Sequence, residues 1–246
     1  GGVGKSTVTA NLAVCLAKMG FKVGVLDADI YGPSMPIMLD VVNERPLAVN
    51  VDGKSKMQPV ENYGVKLLSI GFFTKPDQAV VWRRPMSAKA LNQMIFDAAW
   101  GELDFLLLDL PPGTGDIQMA LGRLLPQAEL IVVTTPQVTA QKVATRVADM
   151  AKRSFIPLLG VIENMSYFQT NTGEKYEIFG KGGGEKLAEQ FAIPMLMKIP
   201  LSEDTTAEAD KGIPLIEQDK DTPTKSSLNT LIDKIDCWIS NGMQNN

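Results

Sequence analysis

The chain contains no histidine. That absence excludes Ser-His-Asp and Cys-His nucleophilic machinery, zinc sites of the H-E-x-x-H kind and any imidazole proton switch. Cysteine is nearly as scarce, with Cys15 and Cys237 the only two, too few for a disulfide framework. Basic charge is not in excess either. Against 28 acidic residues stand 24 Lys and Arg, and the net charge of −4 leaves no electrostatic footprint for nucleic acid or an anionic membrane surface. No apolar run approaches the roughly 20 residues of a membrane-spanning helix, and no secretory leader pattern is readable. A cytoplasmic protein with no nucleic-acid or membrane partner is therefore expected.

What the chain does have is a 45% hydrophobic content over 246 residues, enough for one large α/β domain over 1–246. It opens on Gly1-Gly2-Val3-Gly4-Lys5-Ser6-Thr7. Glycine-rich turns aim successive backbone N–H groups into one concavity, and a following helix adds its positive end, so a phosphate is held there. In that pattern Lys5 reaches the outer phosphates, Ser6 coordinates Mg²⁺ and Thr7 donates to an inner phosphate. The first glycine of the full G-x-x-x-x-G-K-[ST] motif would precede Gly1, so the chain is expected to begin inside its own motif. Val8, Leu12, Cys15, Leu16 and Met19 recur at helical spacing after the loop, and Gly20 stands where such a helix would end. A plain Gly-rich turn before an amphipathic helix is the alternative.

Lys22 to Leu26 reads as a buried parallel strand delivering Asp27-Ala28-Asp29 at its carboxyl end, where α/β ligands sit. Ordinary turn chemistry after a strand is the competing account of these acids. Residues 35–62 are expected to be loop with a short strand or two, and Val65 to Ile70 a strand. A helix follows from about Ser87 to Trp100 with Ser87 as N-cap. Arg83 and Arg84 read as solvated surface or a phosphate or partner contact. Phe105 to Asp109 is four apolar residues closed by a carboxylate, the form of a strand whose acid holds Mg²⁺. The loop from Leu110 to Asp116, containing Gly113, reads as a γ-phosphate switch, with Asp116 as the next N-cap.

Glu129 to Thr135 is a strand, Ala140 to Arg153 a helix with Val143, Val147 and Met150 on one stripe, and Leu158 to Ile162 a strand closed by Glu163-Asn164. An Asn there offers donor and acceptor together to an adenine edge. Lys181-Gly182-Gly183-Gly184 lacks a G-K-[ST] ending and reads as the opening of a helix to Phe191. Met195 to Ile199 is the last strand. A tail helix from about Thr224 carries Leu228, Leu231, Ile232, Ile235, Trp238 and Ile239 at helical spacing. Alternating strands and helices imply a mostly parallel sheet flanked by helices on both faces.

GGVGKST, DADIYGPS, VVWRRPM, WGELDFLLLDLPPGTGDIQ, VTTPQ, VIENMSYF, IFGKGGGEKLAE and IPLS together resemble the Mrp/ApbC iron–sulfur cluster carrier ATPases. These belong to the deviant-Walker-A P-loop group that includes the MinD and ParA ATPases. The resemblance implies an ATPase that acts as a homodimer closing over ATP, with a signature lysine just upstream of Gly1, and that serves iron–sulfur client or scaffold proteins. It assigns Gly1, Gly2, Val3, Gly4, Lys5, Ser6, Thr7 and Gly113 to the phosphates and Asn164 to adenine. Asp29 is assigned to the attacking water, and Ser6, Asp27 and Asp109 to magnesium. It also implies a C-x-x-C after ENMSYF for a [4Fe–4S] cluster, where this chain carries Gln169-Thr170-Asn171-Thr172-Gly173. Cys15, on an apolar stripe, and Cys237, beside Trp238, are expected to be structural. A MinD-like dimerisation switch working without metal is the alternative function.

Overall fold

The computed structural model describes residues 2–30, 32–73, 84–113, 116–170, 172–201, 211–219 and 221–243; side chains at 84–88, 116, 232 and 236–243 are outside the description. The chain forms two compact units. One comprises Lys5–Leu124 with Glu208–Pro214, the other Gly1–Gly4, Leu125–Ala207 and Leu215–Asn246.

The first unit begins with helix α1 (Lys5–Lys18), whose residues Ala10 to Leu16 are all buried, as is Val8. Met19 departs from the expected stripe, being 40% exposed, because the helix has already ended. Gly20, at φ +93°, donates its N–H to Ala17 O while Phe21 N–H reaches Leu16 O, at 2.9 and 3.2 Å. This is a Schellman cap, and its left-handed residue is the reason for glycine. Strand β1 (Val23–Asp27) is buried along its whole length. It lies between β5 (Val65–Ser69) and β6 (Phe105–Asp109), parallel to both, and β4 (Val60–Asn62) adds an antiparallel edge on β5.

The expected loop over 35–62 contains more order than its composition suggests. It holds a one-turn helix α2 (Met35–Met38) and a hairpin of β2 (Leu47–Val51) with β3 (Lys54–Gln58). Asp52 and Gly53 turn the hairpin with φ of +51° and +76°, the pair of positive values a type I′ turn demands. Helix α3 (Arg84–Phe96) starts three residues before Ser87 and ends four before Trp100, so Ser87 is inside the helix and not its cap. Trp100 instead sits buried in the following segment and donates its indole N–H to Met94 O at 2.9 Å. Helix α4 (Asp116–Leu124) begins at Asp116 itself, whose side chain is outside the description, as are Arg83 and the Arg84 side chain.

In the second unit β8 (Leu158–Glu163) is central, parallel to β7 (Leu130–Thr134) on one side and to β11 (Met195–Lys198) on the other. Helices α5 (Val138–Arg153) and α6 (Gly183–Phe191) cover it, and α7 (Pro223–Met243) packs against β11. The buried stripe of α5 is Ala144, Ala148 and Ala151, not Val143, which is 44% exposed. Small side chains let α5 approach the sheet closely enough for Val132, Val161 and Leu187 to close the core around them. On α7, Leu228 and Leu231 are buried as the spacing predicts; the side chains of Ile232, Trp238 and Ile239 lie outside the description. A small hairpin joins β9 (Phe168–Gln169) to β10 (Lys175–Tyr176). No helix among the described residues is long and apolar enough to cross a membrane.

Candidate nucleotide site

Register builds the acidic part of the site. Asp27 on β1 pairs with Ser69 on β5 and with Asp109 on β6, so three polar side chains stand in one row at the carboxyl ends of three parallel strands. All three are buried. The Ser6 hydroxyl, in the first turn of α1, donates to Asp109 Oδ2 at 2.5 Å. The other oxygen of Asp109, Oδ1, is buried with no hydrogen-bond partner among the described residues. A buried carboxylate oxygen without a donor is costly, and a hydroxyl beside a carboxylate is the donor set a hard divalent cation takes. Ser6 and Asp109 therefore fit magnesium.

Asp27 is engaged differently. Its Oδ2 accepts the Ser69 hydroxyl at 2.9 Å and the Met35 N–H at 3.2 Å, and its Oδ1 accepts the Asp29 N–H at 3.2 Å. Met35 opens α2, whose N-cap Ser34 makes no side-chain cap, so Asp27 caps that helix from the end of β1. Burial and the neighbouring charge of Asp109 push the Asp27 carboxyl up to about 7. Burial likewise raises Asp109 to about 6, although the Ser6 hydroxyl and the Lys5 ammonium act to lower it. A cation placed between these acids would remove both penalties. Asp29 is only half-buried, and its charge is felt at Asp109. Of the switch loop, Gly113 has φ +94°, and its carbonyl and that of Pro111 accept the two N–H groups of Gln118 at 3.0 and 2.9 Å. Thr114 and Gly115 are outside the described residues.

In the other unit, Gly2 and Gly4 take φ of +85° and +81°, left-handed values that favour glycine. Gly1 is outside the described residues. Asn164, just beyond β8, donates its side-chain N–H to Val3 O at 2.9 Å. A Cβ at Gly4 would lie 2.3 Å from that amide nitrogen, so a side chain there would displace the amide from its bond to Val3. Glu163 is fully buried, and its two oxygens take the Ser166 hydroxyl and the Gly184 N–H, each at 2.6 Å.

Gln118 and Glu163 were not singled out from sequence. Glu163 closes an apolar strand as Asp109 does, so the same pattern was available to flag it; Gln118 carries no such signal. At the expected cluster position, Thr170 and Thr172 share a hydroxyl–hydroxyl bond of 2.8 Å in the turn of the β9–β10 hairpin, and Cys15 is buried in α1. Among the described residues no group of three or more Cys, His, Asp or Glu is placed to hold a metal ion.

A ParA-type family model described as NUBPL iron-transfer P-loop NTPase matches residues 1–236. The chain belongs to that family. Relatives of this P-loop NTPase include the iron-sulfur cluster carrier proteins of Bacillus subtilis, 45% identical over 241 residues, and of Escherichia coli K12, 44% identical over 236. The matches cover 98% and 96% of this chain but 66% and 63% of those proteins, so the chain spans about two thirds of their length. An Archaeoglobus fulgidus nucleotide-binding protein solved with ADP superimposes with a TM-score of 0.76 at 34% identity, covering 92% of this chain and 88% of that one. The Pyrococcus furiosus cell division ATPase MinD gives 0.69 at 23% identity, with coverages of 97% and 95%, and bears on the fold alone. The family confirms the α/β P-loop architecture expected from the strand and helix alternation.

Proposed function

We propose that this chain binds and hydrolyses ATP with Mg²⁺ as a nucleotide-gated homodimer, and serves as a carrier or assembly factor for iron–sulfur clusters in the cytoplasm. The observation that carries the nucleotide part is the Ser6–Asp109 contact at one end of a row of buried polar side chains. In this reading residues 1–246 form one nucleotide-binding domain. The N–H groups of residues 1–4 and the Lys5 ammonium hold the phosphates, Thr7 donates to an inner one, and Ser6 and Asp109 hold magnesium with Asp27 adding charge to its shell. Asp29 orients the attacking water, Gly113 belongs to the loop that reads the γ-phosphate, and Asn164 meets adenine. Positioning and charge neutralisation lower the barrier, with no covalent intermediate. Lys5→Ala and Asp29→Asn should each cost at least about a hundredfold in ATP turnover, the order of removing one electrostatic stabiliser. Turnover that survives both substitutions would refute the assignment.

The cluster is cargo, and the iron-sulfur cluster carrier proteins among the relatives are what support it. The residues at 169–173 do not fit it, because they offer no thiolate. That observation favours a second reading, a MinD/ParA-like switch that recruits or positions a partner without metal. Anaerobic iron–sulfide reconstitution of the wild type, Cys15→Ala and Cys237→Ala separates them. A stoichiometric cluster lost in one variant keeps the carrier; no cluster with ATPase intact makes the protein an ATP-driven adaptor.

A further inference from the structure

The turn after β8 is fixed more completely than an adenine contact requires. Asn164 N–H bonds Thr134 O at 2.8 Å and Ser166 N–H bonds Ile199 O at 2.9 Å. Between them Met165 is held at φ +52°, a left-handed value that a non-glycine residue keeps only when its surroundings impose it. Glu163 supplies the imposition from below. Buried at the carboxyl end of the central strand, it ties the Ser166 hydroxyl to the first turn of α6 through Gly184 N–H. Gly184 has no room for a side chain, since a Cβ there would be 2.9 Å from Glu163 Cβ and 3.1 Å from Met195 Cε. Gly183 has none either, with the Gln141 amide nitrogen 2.2 Å from its Cβ position. The two glycines that open α6 thus let its first turn sit closely against Glu163 and Gln141.

At the top of this stack the Asn164 amide holds Val3 O. A trans peptide is planar with its C=O and N–H antiparallel, so fixing the Val3 carbonyl toward Asn164 turns the Gly4 N–H away from it. The flanking residues make this restraint necessary. Turning that plane changes ψ of Val3 and φ of Gly4, and glycine at 4, here at φ +81°, leaves the second of these dihedrals permissive; a flipped plane would present a carbonyl where a phosphate needs a donor.

We infer that Asn164 is a positioning residue for the phosphate loop: held by the Glu163–Ser166 turn, it pins the Val3–Gly4 peptide and thereby sets affinity for polyphosphate, independently of any contact with the base. The inference rests on reading the loop as a nucleotide site. Titration calorimetry of the full chain in Mg²⁺ with ATP and with inorganic tripolyphosphate tests it, for wild type, Asn164→Ala and Glu163→Gln, each confirmed folded by its melting temperature. Wild type binds both ligands. Asn164→Ala should weaken both by a similar factor, about five- to tenfold for one lost hydrogen bond, and Glu163→Gln should weaken both by less. A loss confined to ATP, with tripolyphosphate binding unchanged, would overturn the inference and leave Asn164 a reader of adenine only. A wild type that binds ATP but not tripolyphosphate would also overturn it. Failure of wild type to bind ATP would instead overturn the nucleotide reading beneath it.

Discussion

At the scale of single residues, the buried acids set the response to pH. The folded chain keeps protons on Asp27 up to about pH 7 and on Asp109 to about 6, whereas the ordinary carboxyl value is 3.8. Between those limits the native state binds more protons than the unfolded one, so stability falls as pH rises from about 4 to 7 and levels off above. Melting temperatures of the nucleotide-free protein should follow that course, and Asp27→Asn should flatten it. Magnesium–nucleotide binding near pH 6 should release protons, seen as a buffer-dependent heat in calorimetry. Gly184→Ala is a second residue-scale test. Its Cβ meets Glu163 Cβ at 2.9 Å, an overpacking that should destabilise by about 1–3 kcal/mol, measured by denaturant melts. The acids were legible in sequence because each closes an apolar strand. What could not be read was their division of labour, since only the folded contacts reveal that Asp27 spends both oxygens on Ser69, Met35 and Asp29 while Asp109 keeps one without a donor among the described residues.

At the scale of elements, three helices end alike and with different residues. Helix α1 closes on Gly20, α5 on Phe155 at φ +57° and α6 on Ala192 at φ +53°. In α5, Ile156 N–H reaches Ala151 O at 2.9 Å, and in α6, Ile193 N–H reaches Ala188 O at 3.0 Å, the same six-to-one bond as Phe21 makes. Phe155 is 92% exposed, so its ring contributes little burial to set against the strain. Phe155→Gly and Ala192→Gly should each stabilise by up to about 1 kcal/mol, and Gly20→Ala should cost about as much; thermal melts of the three variants decide the matter. Elements whose pattern is local were readable in advance, among them β1, β6 and α6. Within 35–62 a short strand or two was expected but not their pairing as a hairpin over 47–58, because those strands mix exposed and half-buried residues without a regular apolar face, although Asp52-Gly53 is a strong turn signal. The stripe of α5 differs from the expected one because alanine, which packs there, carries less hydrophobic weight than Val143, which faces solvent, or Val147 and Met150, which are half-buried.

At the scale of the whole molecule, a chain without histidine has few groups that titrate near neutrality, which makes the carboxyls of Asp27 and Asp109 the main source of such a response among the described residues. Nucleotide should stabilise it by mass action, and saturating Mg–ATP at about a hundred times its dissociation constant adds roughly 2.7 kcal/mol. That rise in melting temperature should vanish in Lys5→Ala. The family was legible from motifs spread over nearly the whole length, and the model match over residues 1–236 has the same breadth.

Helix α1 is enclosed around its circumference from Ala10 to Leu16, whereas α5 and α6 each show one face to solvent. A saturation scan of substitutions would therefore trace a 3.6-residue rhythm of tolerance along α5 and α6 and an unbroken band of intolerance across α1. Variation among descendants of this chain should accumulate on the former and be nearly silent on the latter, making α1 its slowest-evolving stretch for reasons of space before any of chemistry.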